Sequence, residues 1–173
     1  QEVLINRNDS IIKSYLVFEF TPVFYKEELS YIKFNVGLRI QPNHKPREIF
    51  YSTWNVGCVM HIHDFKIPDS SLRGFSIGRY VWHRIYDYLP DEVRHKFIVR
   101  GRTSVVDDDK KFNNERRNKL WMDLCGFSKK MPGATFEAAH NNPDEFIFEG
   151  PIQDVWNDTD NEKGVRFTPP DNN

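Results

Sequence analysis

The feature that most constrains this chain is a change of period between Phe65 and Tyr86. Phe65-Lys66-Ile67 reads as the end of a strand, and Pro68-Asp69-Ser70-Ser71 as a polar turn. The loop Arg73-Gly74-Phe75-Ser76-Ile77-Gly78 is rich in small residues. Ile77, Val81, Ile85 and Tyr88 then recur at helical spacing. A strand that hands over to an amphipathic helix through such a loop commits the chain to a layered arrangement of helices on a sheet. It also lets backbone approach a ligand closely. A helix N-terminus carries unpaired donors and partial positive charge, so its natural occupant is an anion, most often a phosphate.

The rest of the chain reads mainly as strands. Tyr15 to Phe20 is aromatic and β-branched, with Pro22 limiting or kinking it. Lys26-Glu27-Glu28 is a turn. From Tyr31 to Ile40 the residues Ile32, Phe34, Val36, Leu38 and Ile40 alternate onto one face. Asn55 to Ile67 reads as one extended stretch, with Val59, His61, His63, Phe65 and Ile67 opposite Met60, Ile62, Asp64 and Lys66. Phe97 to Val99 is a strand, Asn114 to Leu124 a second helix closed by Gly126, and Phe146 to Phe148 and Ile152 to Trp156 are late strands. The expected class is mixed α/β.

At 173 residues the chain suits one domain, expected over residues 1–156, with 157–173 as a polar tail that lacks the apolar content to order itself. A formal net charge of −1 gives no bulk attraction to nucleic acid or to an acidic membrane. Two cysteines, Cys58 and Cys125, do not form a disulfide framework. No apolar run has the length of a membrane span and no signal-peptide pattern is visible, so the expectation is a cytoplasmic protein.

Two blocks carry a resemblance. Arg73, Gly74-Phe75, Ser76, Ile77 and Gly78 resemble the acetyl-CoA-binding motif of the GNAT superfamily of N-acetyltransferases: Arg or Gln, two residues, Gly, one residue, then Gly or Ala. Downstream, Asn114, Arg117, Leu120, Trp121, Gly126 and Phe127 resemble the family's second block, with a strand between the two. The resemblance covers roughly residues 55–127. It implies a mostly antiparallel sheet in which two parallel strands splay apart, with flanking helices. It also implies acetyl-CoA as co-substrate and a small-molecule or protein amine as acceptor. The pyrophosphate would rest on Arg73–Gly78, the pantetheine arm would pair with the edge of Phe65, Lys66 and Ile67, and Asn114 would touch the cofactor from the far side. Three departures stand out. Ser76 replaces the middle glycine. Trp121 stands where the family often has a tyrosine acid, one residue further than usual from Gly126. The two acceptor-side helices are replaced by strand-like sequence. These departures keep a second reading open, a non-catalytic module that binds a ligand or protein partner.

Acetyl transfer to an amine needs a base, and an imidazole titrating near neutrality suits that role. His61 and His63 are the candidates; the alternative for each is a packed or solvent-facing histidine. As a His-x-His pair they supply two zinc ligands, and a site needs more, so no metal is assigned. Cys125, beside Leu124 and Gly126, reads as core filling. Arg94, His95, Lys96, Arg100 and Arg102 read as a solvated basic face or a phosphate contact, and Asp107 to Asp109 as a charged loop.

Overall fold

The computed structural model describes residues 2–7, 10–68, 70–72, 76–102, 121–122, 134–154 and 165–167. The described residues form nine strands, β1 (Glu2–Arg7), β2 (Ser10–Tyr25), β3 (Glu28–Arg39), β4 (Arg47–Asn55), β5 (Val59–Phe65), β6 (Ile98–Arg102), β7 (Thr135–Ala139), β8 (Asn142–Pro151) and β9 (Val165–Phe167), with helices α1 (Ile77–Tyr88) and α2 (Asp91–Arg94) between β5 and β6. All nine join one sheet in the order β7-β8-β6-β5-β4-β3-β2-β1-β9. Every neighbouring pair is antiparallel except β5 and β6. A parallel pair needs a crossover, and α1 and α2 supply it. This is the mixed α/β class expected from sequence.

The alternation in β3 sets the sheet's two faces. Phe34, Val36 and Leu38 are buried, with Phe18 and Leu16 of β2 beside them in register. Ser52 and Trp54 of β4 and Met60 and Ile62 of β5 continue this apolar face across the sheet. The indole N–H of Trp54 donates to the Ser52 hydroxyl at 2.8 Å, so the polar atoms buried here pair with each other. α1 covers this face with Ile77, Val81, Trp82 and Ile85, all buried. The sequence stripe is therefore wider than one residue per turn, and Trp82 is anchored by its indole N–H to the Gln153 carbonyl at 2.9 Å. The helix stops at Leu89, whose φ of −77° and ψ of 129° are extended, as the residue before a proline prefers.

Several expectations change in detail. Pro22 does not end β2, which runs on to Tyr25 with a register shift between Val23 and Phe24. The turn at its end places Lys26 and Glu27 at φ 48° and 68°, both left-handed, as a two-residue hairpin of type I′ demands. The stretch from Asn55 to Ile67 is not one strand. Val56, Gly57 and Cys58 turn the chain, with Cys58 at φ 59° and the Asn55 side-chain oxygen accepting from Gly57 and Val59 N–H. Residues 152–154 are not strand, although Ile152 N–H still bonds the Phe97 carbonyl. Val165–Phe167, within the segment read as a tail, pairs with β1. Of the second predicted helix, Trp121 and Met122 are helical; Asn114, Cys125 and Gly126 lie outside the described residues.

Candidate functional site

β5 and β6 pair in parallel from Val59↔Ile98 to Ile62↔Gly101, the last such pair among the described residues. β5 continues for three residues more, through His63 and Asp64 to Phe65. On the side toward β4, the register steps from Ser52↔Ile62 to Tyr51↔Asp64, so His63 is an extra residue, a β-bulge. The bulge directly follows Ile62, the last β5 residue with a described β6 partner.

The bulge overturns the face assignment made from alternation. Paired residues of an antiparallel ladder share a face. Phe50 and Phe65 pair, and their rings meet edge-to-face at 5.1 Å in the apolar core. Ile67 also packs against that core. His61 and His63 remain together on the polar face, but Phe65 and Ile67 do not join them. Asp64, expected on the other side, shares the polar face and pairs with Lys66 at 2.8 Å. One inserted residue exchanges the sides of everything after it.

His63 is held by β4. Its Nε2 lies 2.9 Å from the Thr53 hydroxyl, and its ring lies 4.9 Å from that of Tyr51. Desolvation, reinforced by the neighbouring His61, pushes its pKa below the ordinary 6.5. The neutral imidazole is therefore the form present at neutral pH, and a neutral imidazole has a lone pair to accept a proton. His61 lies in register with Thr53 on one side and Arg100 on the other. Arg100 is paired with Glu149 of β8, which fixes its charge on the same face.

Past the bulge, Lys66 N–H donates to the Ile49 carbonyl at 2.9 Å. Successive residues of a strand direct their backbone groups to opposite sides, so those of Phe65 point away from β4, toward the β6 side of the strand. Of the predicted pantetheine edge, Lys66 directs its N–H to β4, Phe65 directs its backbone groups the other way, and Ile67 lies past the end of β5.

The helix start is unusual in one respect. Ser76, the N-cap of α1, has φ 59° and ψ 14°, a left-handed conformation that suits glycine, and its side chain makes no capping bond. The first donor within the helix is Tyr80 N–H, to the Ser76 carbonyl at 2.9 Å. The N–H groups of Ile77 and Gly78 therefore precede the helical ladder. Ile77 is buried and Gly78 partly so. Arg73, Gly74, Phe75 and Asn114 lie outside the described residues.

Trp121 lies on the apolar face. It stacks on Phe148 at 4.7 Å and meets Phe65 at 5.6 Å and Trp82 at 6.4 Å. Beneath it, Gly101 of β6 has no room for a side chain, because a Cβ there would lie 2.2 Å from the Phe148 ring. Cys58 is partly buried in the β4–β5 turn. Among the described residues, no group of three or more His, Cys, Asp or Glu is placed to hold a metal ion, and no helix is long and apolar enough to cross a membrane.

Thr53 and Tyr51, which position His63, were not singled out from sequence. The signal was available in principle: a turn at residues 56–58 folds β4 onto β5 and brings Thr53 opposite His61. Comparison with protein-family models, curated proteins and solved structures finds no match to this chain.

Proposed function

We propose that the chain is an acyl-CoA-dependent N-acyltransferase of GNAT-like fold, acting on an amine. The observation that carries this reading is the parallel β5–β6 pair with α1 in its crossover. β5 and β6 are parallel neighbours, and the crossover between them contains a helix whose first amides precede its own ladder. That combination provides an outward-directed strand edge for an amide arm and donors for an anionic group.

Bound acetyl-CoA would supply an activated thioester. Ile77 and Gly78, with Arg73 to Phe75 by resemblance, would hold its diphosphate, and Phe65 and Ile67 would align its pantetheine arm. His63 accepts the proton that the attacking amine gives up as its nitrogen bonds the acyl carbon and the carbon–sulfur bond breaks. Thr53 and Tyr51 orient the ring. His61 lowers the imidazole's affinity for a second proton and so keeps His63 in its basic form.

Trp121 favours a second reading. Its indole fills the apolar face between Phe65 and Phe148 and has no acidic proton for a departing thiolate. A module that binds without turning over would have this property.

Calorimetry with acetyl-CoA and desulfo-CoA, followed by thiol release with a panel of amines, tests both. Acyl transfer predicts binding of both ligands and turnover with at least one amine. Gly78→Glu should abolish binding by bulk and charge. His63→Ala should cut turnover by about a hundredfold or more with affinity nearly unchanged. The acid limb of the wild-type rate profile should fall below pH 6.5, the ordinary histidine value. Binding without turnover selects the second reading, and absence of binding removes both.

A further inference from the structure

A cavity of about 380 Å³ lies at the opposite end of β4 from the β4–β5 turn, lined by Leu38, Ile40, Asn43, His44, Lys45, Arg47, Ile49, Pro68 and Leu72. This is within the range of small-ligand pockets, which run from about 300 to 1,000 Å³. Its presence does not depend on the acyl-transfer reading.

The cavity is built by specific local choices. The register of β3 and β4 shifts between Val36 and Gly37, which makes Ile49 an extra residue on β4, and Ile49 lines the cavity. The loop after β3 closes through His44 N–H to the Gln41 carbonyl at 3.0 Å. Pro46 then lies so close to β3 that a Cβ on Gly37 would stand 2.7 Å from the proline Cβ. Only glycine at position 37 permits that approach, so the loop is pinned rather than draped. The floor of Leu38, Ile49 and Leu72 is buried and apolar.

The mouth has the opposite chemistry. His44, Lys45 and Arg47 are exposed around it, and no carboxylate is among the described residues that line the cavity. Among the described residues none of the three forms an ion pair. The whole chain is close to neutral, so this is a local concentration of one sign of charge over an apolar floor.

We propose that this cavity binds a small amphipathic anion, an apolar chain or ring ending in a carboxylate or phosphate. The apolar body lies on Leu38, Ile49 and Leu72, and the head group is held at the mouth by Lys45 and the forked guanidinium of Arg47. A neutral analogue keeps the first contact and loses the second, while a cationic analogue is repelled.

The test is a titration of the full chain, with labelled Ile and Leu methyl groups, with octanoate, octyl phosphate, octanol and octylamine below their aggregation limits. The expected result is that both anions shift the methyl signals of Leu38, Ile49 and Leu72, with at least one bound about tenfold or more tightly than octanol, a difference of ~1.4 kcal/mol. The tighter anion identifies the head group. A Lys45→Ala/Arg47→Ala variant should lose that advantage while binding octanol as before. Equal affinity for octanol or octylamine, or shifts confined to other methyl groups, would overturn the assignment.

Discussion

The two faces of the sheet are made by the same strands and serve opposite ends. On one, Phe34, Phe50, Trp54, Val99 and Phe148 are buried under α1. On the other, Thr53, His61, His63 and the Arg100–Glu149 pair present hydrogen-bonding and titratable groups. Desolvation acts on both, with different results. On the helix side it pushes the Tyr80 hydroxyl up to about 12, which keeps it neutral. On the polar side it lowers the pKa of His63, which keeps the imidazole unprotonated at neutral pH. The lesson is a division of labour. One face supplies the free energy of folding, and the other can carry polar groups because it contributes little to that total.

Substitutions can break or sharpen this contrast. The largest effect is expected from Trp82→Ala, which removes a fully buried indole and its bond to Gln153, at a cost of about 3–5 kcal/mol in urea denaturation. On the polar face, Lys33→Ala should change stability by less than about 0.5 kcal/mol. Equal losses at the two positions would erase the distinction.

Next is the alkaline limb. The unfolded chain releases the Tyr80 proton near 10 and the folded chain near 12. Between these values protons leave the unfolded state first and favour it. The contribution is therefore complete below pH 10 and lost as the pH rises toward 12, by about 2 kcal/mol once solvent screening of the hydroxyl is allowed for. Denaturation of the wild type and Tyr80→Phe across that range should show the loss only in the former.

Gly101→Ala forces a Cβ into the Phe148 ring and should cost about 1–3 kcal/mol, seen as a lower melting temperature. The smallest effect has the opposite sign. Ser76→Gly relieves a left-handed backbone and should stabilise the chain by up to about 1 kcal/mol. A destabilised glycine variant would mean that the Ser76 side chain contributes something beyond its backbone conformation.

Much of the strand content was legible because apolar alternation in β3 and the aromatic run in β2 are strong local signals. The helical stripe of Ile77, Val81 and Ile85 was equally clear, and all three are buried. What was not legible depends on pairing between strands. The turn at Val56–Cys58 lacks an Asn-Gly or Asp-Gly pair and uses a cysteine in a left-handed conformation, so its residues read as part of the strand that follows. The bulge at His63 has no local mark at all; it exists because β4 and β5 must bury both Ile62 and Phe65. Without it the alternation placed Phe65 beside the histidines. β7 and most of β8 likewise escaped notice, since Phe136 and Phe148 show their common side only once the strands are in register.

The extra residue at His63 also makes the strand tolerant of change. Upstream of it, Met60 and Ile62 answer to one register; downstream, Phe65 and Ile67 answer to another. Deleting that single position would turn the later pair toward water and carry Asp64 and Lys66 inward. For folding alone, the imidazole can therefore be exchanged for other side chains far more readily than the segment that bears it can be shortened.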